Sequence, residues 1–296
     1  MSLKETFLDP KVLENLGKMN VRVDSLVVGI LNGMHRSPHK GGAVEFAEYI
    51  EYSPGHEIRH IDWKVFAKSD KFYVKQFQDE TNLRVYLVID ASGSMAYHRQ
   101  EGELSKLRYV SFLAATISYL FISQGDAVGL YSSHEKDNVF MPASSRKQHL
   151  EDLFEVLDTL PGEGYSSLTQ AFKEIAERAR GRSKVLVFSD MLEADEEAMS
   201  MLAVLKKRKY DVEMFHVLDA SELEFPFEGM TNFVGLEGEG ELLIDPDDVR
   251  VEYKRLVNEH LKFIEDSCSE QRISYYKFFT HDPLEKVIIE FLGAKN

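Results

Sequence analysis

The sequence predicts an α/β protein whose mainly parallel sheet is covered by helices on both faces, with a β-rich region ahead of it. Three observations carry that expectation. From Leu83 onward, strand-like apolar runs alternate with helical patterns. The runs at Leu83–Ile89 and Lys184–Ser189 are near-continuous in apolar residues, the texture of strands buried on both faces. Between Leu26 and Asn82 the texture is different: Asn32-Gly33, Ser37-Pro38, Gly41-Gly42 and Ser53-Pro54-Gly55 punctuate short stretches such as Val44–Tyr52 and Lys71–Phe77.

The elements follow in order. Pro10–Leu16 has a short helical pattern. Leu104–Ser123 reads as a helix, with Leu107, Val110, Ala114, Ile117 and Phe121 on one stripe and Gly125 as the stop. Strands are expected at Ala127–Tyr131 and Val139–Met141. Ser145 and Gln148 suit a capping box for a helix that ends before Pro161. A helix at Leu168–Arg180 precedes the Lys184–Ser189 strand. A helix at Glu196–Lys209 and a strand at Val212–Leu218 come next, then an irregular stretch or hairpin over Ala220–Ile244. Asp245-Pro246 and Asp282-Pro283 each place a cap and a proline at a helix start, on either side of a strand at Ile273–Phe279. The acidic runs Glu193–Glu197 and Asp245–Asp248 read as helix starts favoured by the macrodipole. The domain boundary falls between residues 82 and 83.

Composition bounds the function. The 296 residues are 44% hydrophobic and 29% charged, which suits a globular protein with a sizeable core. Lys and Arg number 35 against 50 Asp and Glu, a net charge of −15. That excess argues against nucleic acid or an anionic membrane as partner, because both need clustered cations. The single cysteine, Cys268, excludes an intrachain disulfide and any Cys-rich metal site, and reads as a small, partly buried apolar residue. No signal pattern opens the chain, and the apolar stretch Val110–Ile122 is too short to cross a bilayer. The expected setting is the cytoplasm, with no membrane insertion.

The chemistry concentrates at Val85–Met95, where an apolar strand ends at Asp90 and Ser92 and Ser94 follow at steps of two. Short strings of this kind also serve as turns and caps. Ligands of open α/β sheets sit beyond the carboxyl ends of the strands, so Asp90 and Asp190, each at such an end, are expected in one crevice. The loop Gly162–Ser167 reaches the same rim. Ser167, three before Gln170, suits a helix cap, which leaves Ser166 free to point elsewhere. Three hydroxyls and two carboxylates are hard oxygen donors of the kind magnesium takes, with calcium or manganese as alternatives. The expected cation shell is therefore Asp90, Ser92, Ser94, Ser166 and Asp190, with a position left for an acid from a partner.

These residues resemble the metal-ion-dependent adhesion site of the von Willebrand factor type A domain. Arg36-Ser37, Gly41-Gly42, Glu45-Phe46, Tyr52–Gly55, Arg59, Ile61–Trp63 and Glu80 narrow the likeness. They resemble an uncharacterised bacterial family that occurs beside MoxR-type AAA+ ATPases. The resemblance runs from about Ser25 to Leu218. It implies a Rossmann-like, doubly wound type A domain and a working link to an AAA+ ATPase or its substrate, as adaptor or co-chaperone. The chain departs from the pattern at His56, where the family usually has an acid. It also has Ser166 where many such sites have Thr, and Met191 where many have Gly.

Other readings stay open. A magnesium-dependent phosphatase with Asp90 as nucleophile would want a second acid at position 92, which is Ser92. A decayed site on a structural scaffold is a third reading. No phosphate-binding P-loop and no nucleophile elbow occur, and no catalytic residue is assigned. The pairs His35/His39 and His56/His60 have zinc-like spacing, but glycine and proline around them place them in loops or strands. Arg36, Arg59, Asp62 and Trp63 read as a packing cluster.

Overall fold

The computed structural model describes residues 83–100, 102–133, 138–179 and 183–293, and the backbone of two short strands at 49–51 and 73–75. These two strands, β1 (Tyr49–Glu51) and β2 (Tyr73–Lys75), pair antiparallel within a compact unit, Gly33–Asn82. They fall inside the two stretches expected to be strand-like. The Pro10–Leu16 pattern, both histidine pairs and the Arg36/Arg59/Asp62/Trp63 cluster lie outside the described residues.

The larger unit holds Leu83–Asn296. Its elements are β3 (Arg84–Asp90), α1 (Lys106–Ser123), β4 (Ala127–Ser133), β5 (Val139–Ser144), α2 (Lys147–Asp158) and α3 (Leu168–Arg178). Then come β6 (Ser183–Ser189), α4 (Glu196–Lys207), β7 (Asp211–Leu218) and the short α5 (Ala220–Glu224). A hairpin of β8 (Thr231–Val234) and β9 (Glu241–Ile244) follows, then α6 (Pro246–Glu270), β10 (Ser274–Phe279) and α7 (Leu284–Gly293). Six strands form one sheet in the order β10-β7-β6-β3-β4-β5, and only the edge strand β5 runs antiparallel to its neighbour. This is the doubly wound α/β fold that the alternation of runs predicts.

Both faces of the sheet are covered. On one, Tyr86, Val88, Val187 and Met214 pack with Phe172 and Ile175 of α3, Leu202 of α4 and Ile264 of α6. On the other, Phe215 stacks on Phe188 at 4.7 Å between ring centroids and on Tyr276 at 5.0 Å, and meets Phe291 of α7. Tyr109 and Phe121 of α1 join that face through Phe278 and Phe291. The alternation along β3 explains the division, because successive side chains point to opposite faces. The chain goes from β3 to β4 on one side and returns to β6 on the other, so a topological switch point opens between the carboxyl ends of β3 and β6.

Several local expectations hold closely. Ser167 caps α3, its hydroxyl accepting from the Gln170 amide at 3.2 Å. Asp195 and Asp245 cap α4 and α6, with Glu196, Glu197, Asp247 and Asp248 in the first turns. Gly125 ends α1 at φ 89°. Cys268 is a small apolar core residue, more buried than the partial burial expected: it is 1% exposed, and burial pushes its thiol up to about 11.

Three differ. The single stripe expected on α1 is too narrow: Tyr109, Phe112 and Leu113 are also fully buried, because the helix is enclosed on most sides. β5 continues to Ser144, which pairs with Val128 across a bulge. The longer strand moves the start of α2 to Lys147, so the Ser145–Gln148 capping box does not form and Arg146 caps without a side-chain bond. The stretch after β7 opens with α5, held by a capping box between Asp219 and Glu222, before it turns into the hairpin. Among the described residues no helix is long and apolar enough to cross a membrane.

Candidate metal centre

Asp90 is the last residue of β3 and is 2% exposed. Its Oδ1 accepts from the Ser92 amide at 3.0 Å and from the Ser166 hydroxyl at 2.7 Å. Its Oδ2 accepts from the Ser189 hydroxyl at 2.6 Å. Burial raises the Asp90 pKa and the nearby Asp190 carboxylate raises it further; the hydroxyl bonds from Ser166 and Ser189 pull the other way without prevailing.

Ser92 and Ser94 lie in the tight turn after the strand, their Oγ atoms 3.0 Å apart. The turn is fixed from two sides: the Gly93 amide donates to the Gly164 carbonyl, and the Ala91 amide to the Ser133 carbonyl. The first bond ties the turn to the loop that carries Ser166. With Ser167 occupied as a cap, Ser166 is turned inward and buried.

Asp190 follows β6, which lies beside β3 in the sheet. Its Oδ1 accepts from the Leu192 amide at 3.2 Å and its Oδ2 from the Lys106 ammonium at 2.7 Å. Burial works against the charge of Asp190, yet Lys106 outweighs it and holds the pKa below the usual carboxylate value. Lys106 itself is fully buried and also pairs with Glu222 at 2.5 Å. Its desolvation would lower the ammonium pKa, but the two acids lift it above the ordinary lysine range. Burial raises Glu222 in turn.

All five residues named from sequence thus stand at the carboxyl ends of β3 and β6 or on the loop before α3. Four further residues join them that sequence reading left out of the shell. Ser189 bonds Asp90, Lys106 and Glu222 neutralise one another beside Asp190, and Glu237 from the β8–β9 turn accepts from the Ser94 amide at 3.2 Å. Lys106 opens α1 two residues before a second cation, Arg108, so nothing local marks it as the buried one. The Asp219–Glu222 capping spacing was the signal for Glu222. Nothing local marks Glu237.

The donor set can be tested for a cation. Among the described residues no group of three or more His, Cys, Asp or Glu could hold a metal, so any ion here would depend on the serine hydroxyls. Adjacent vertices of an octahedron with bonds of about 2.1 Å lie about 3.0 Å apart. The Ser92 and Ser94 hydroxyls have that spacing, at which they hydrogen-bond to one another. The side chains named so far present oxygens, apart from the Lys106 ammonium. Asp90, Asp190 and Glu222 less the Lys106 ammonium leave two negative charges when all are ionised, and Glu237 adds a third, so the site is net negative as a cation requires. Lys106 occupies one side of Asp190, so Asp190 suits a water-linked place in a shell more than a direct one. The residues fit a small, hard, divalent cation.

Met191 sits in the left-handed region at φ 59°, where many sites of this resemblance have glycine. Such a backbone costs a non-glycine residue about 1–2 kcal/mol. The side chain is fully buried in the core, and the His260 ring nitrogen lies 2.8 Å from the Met191 carbonyl. Burial and that contact hold the turn in this left-handed shape.

Among known proteins, the chain is 25% identical over 221 residues to the uncharacterized proteins Rv1480 of Mycobacterium tuberculosis and Mb1516 of Mycobacterium bovis. The match spans 74% of this chain and 68% of each of those. Among solved structures, BatB from Bacteroides thetaiotaomicron aligns with a TM-score of 0.49 and 15% identity, covering 72% of this chain and 98% of that one. The SpRpn10 VWA domain aligns with a TM-score of 0.45 and 12% identity, covering 71% and 95%. The family model described as "Protein of unknown function DUF58" matches residues 48–262, well over half of the chain, and the protein therefore belongs to the DUF58 family.

Proposed function

We propose that the larger unit is a metal-dependent protein-interaction module, an adaptor or co-chaperone-like part that works with a MoxR-type AAA+ ATPase or its substrate. The observation that carries the metal reading is the network on Asp90. Its carboxylate gathers the Ser166 and Ser189 hydroxyls and the amide of the Ser92 turn into one buried oxygen-rich cradle. Asp90, Ser92, Ser94, Ser166 and Asp190 would hold magnesium, or calcium or manganese in its place. A bound dication supplies positive charge that an acid from a partner can meet. The ATPase as partner rests on the sequence resemblance alone.

The chain's own residues perform the rest. Ser166 and Ser189 orient Asp90 through their hydroxyl bonds. Lys106 keeps Asp190 charged, and Glu222 keeps Lys106 from adding a net positive charge that would repel a cation. Asp90 is buried beneath three hydrogen-bond donors, which suits a carboxylate that organises a shell better than one that attacks phosphorus.

The test is calorimetry with magnesium on wild type and Asp90→Ala. The expected result is one bound ion in wild type, none in the variant, and a variant that still unfolds cooperatively. Equal magnesium binding in both proteins would sink the proposal. A pull-down of a MoxR-type ATPase with and without chelator tests the partner; retention unchanged by chelator would remove the metal from the interaction.

A further inference from the structure

The hairpin turn between β8 and β9 lies directly on the Asp90–Ser94 turn. Two observations show how close it lies. Glu237 at the hairpin turn accepts from the Ser94 amide at 3.2 Å. At Gly93, one residue earlier, a methyl group would collide with the Leu236 carbonyl and press on the Glu237 side chain. The turn is shaped for this position. The Gly235 amide donates to the Gly240 carbonyl at 2.7 Å, and the Glu237 amide donates to the Glu239 carboxylate at 3.0 Å. Gly238 and Gly240 hold positive φ of 96° and 97°, which lets the tight turn form. The result is a partly buried carboxylate on the residue whose hydroxyl belongs to the proposed cation shell.

We infer that Glu237 is the chain's own acid for this centre: it fills the position that a partner acid would take, so an acidic partner must lift the β8–β9 turn to reach the ion. The inference rests on the metal reading above. Its chemistry is that of any carboxylate oxygen toward a hard dication. The Ser94 amide steers the carboxylate to the mouth of the cradle, and the absent side chain at Gly93 lets the Leu236–Glu237 backbone come near enough. Phe233 anchors the base of the hairpin on Phe225 and Phe227, at 5.7 and 5.2 Å between ring centroids, while Val234 and Leu236 toward the turn are 58% and 48% exposed, so the turn has less packing to lose than the base when it lifts.

The experiment uses the full chain and manganese alone as the probe, read by calorimetry and by water-proton relaxation, which counts waters on the bound ion. Wild type, Glu237→Gln, Glu237→Ala and Asp90→Ala are compared. Gln keeps an oxygen for the Ser94 amide and so keeps the hairpin seated, but it removes the charge. Both Glu237 variants should bind manganese on the order of tenfold more weakly, the scale of losing one supporting group of a metal site. Glu237→Ala should carry one more water on the ion than wild type. Two outcomes overturn the idea, and they are distinct. Equal affinity and equal hydration in wild type and both Glu237 variants, with binding lost in Asp90→Ala, remove Glu237 and leave the metal reading standing. No manganese bound by wild type removes the metal reading and this inference with it.

Discussion

Lys106 carries the strongest single-residue constraint outside the serines. Its ammonium is wholly buried between Asp190 and Glu222. Removing one partner of a buried ion network leaves uncompensated charge and costs about 3–5 kcal/mol. Lys106→Met should therefore destabilise the chain by about that much in denaturant unfolding. Adding Glu222→Gln to that variant should recover part of the loss, because one stranded acid is then neutral. A Lys106→Met protein as stable as wild type would show that the acids find other partners. Met191 tests a different balance. Its left-handed backbone is a cost, and its buried thioether is a gain of about 2–5 kcal/mol against alanine. Met191→Ala keeps the strain and loses the packing; Met191→Gly loses both. Stability should fall in the order wild type, Gly, Ala, measured by chemical denaturation. An order with Ala above Gly would mean that the turn carries little strain.

At the scale of the element, the β8–β9 hairpin and the Asp90–Ser94 turn depend on one another through Gly93. Gly93→Ala places a methyl group against the Leu236 carbonyl, so one of the two must move. The hairpin has exposed apolar side chains and few buried ones, so it is the part that yields. The expected outcome is faster limited proteolysis within Val234–Glu241 in Gly93→Ala, with little change in global unfolding. Unchanged cleavage there would mean that the hairpin does not rest on the turn. The legibility of elements followed the same physics. Where a segment's partners are local, as with Ser167 and Gln170 or Asp245 and Pro246, spacing alone located the cap. Where the partner is distant, it did not. The end of β5 is set by pairing with Val128, and no spacing near Ser145 carries that information.

For the whole molecule, global stability is linked to a buried histidine. His216 lies in β7 with its Nδ1 2.8 Å from the Tyr275 hydroxyl, and it is fully buried. Burial pushes its pKa down to about 3; Asp190 favours the charged ring, and Lys106 and His260 oppose it. The unfolded chain keeps the ordinary value of about 6.5. Below that pH the unfolded state takes up a proton that the folded state refuses. Stability is therefore full above about 6.5 and falls as pH drops from there toward 3, by up to about 1.4 kcal/mol per unit. Replacing the ring by Phe should flatten that limb relative to wild type, measured as unfolding free energy between pH 7 and 5. Equal slopes in the two proteins would show that His216 titrates normally.

The sequence by itself determined the class of the fold, the order of its strands and helices, and the serines and carboxylates at the strand ends. These are legible because the period of buried runs and the chemistry of caps are local properties, written within a few residues. Only the tertiary structure decided what surrounds them. Strand order set β6 beside β3, which brought Ser189 onto Asp90 across 99 positions of chain. Packing enclosed Lys106 and gave it two acids from distant elements. A hairpin nearly 150 residues after the turn delivered Glu237 to Ser94. Such contacts are products of a closed three-dimensional arrangement, and side chains that meet only there leave no spacing to read.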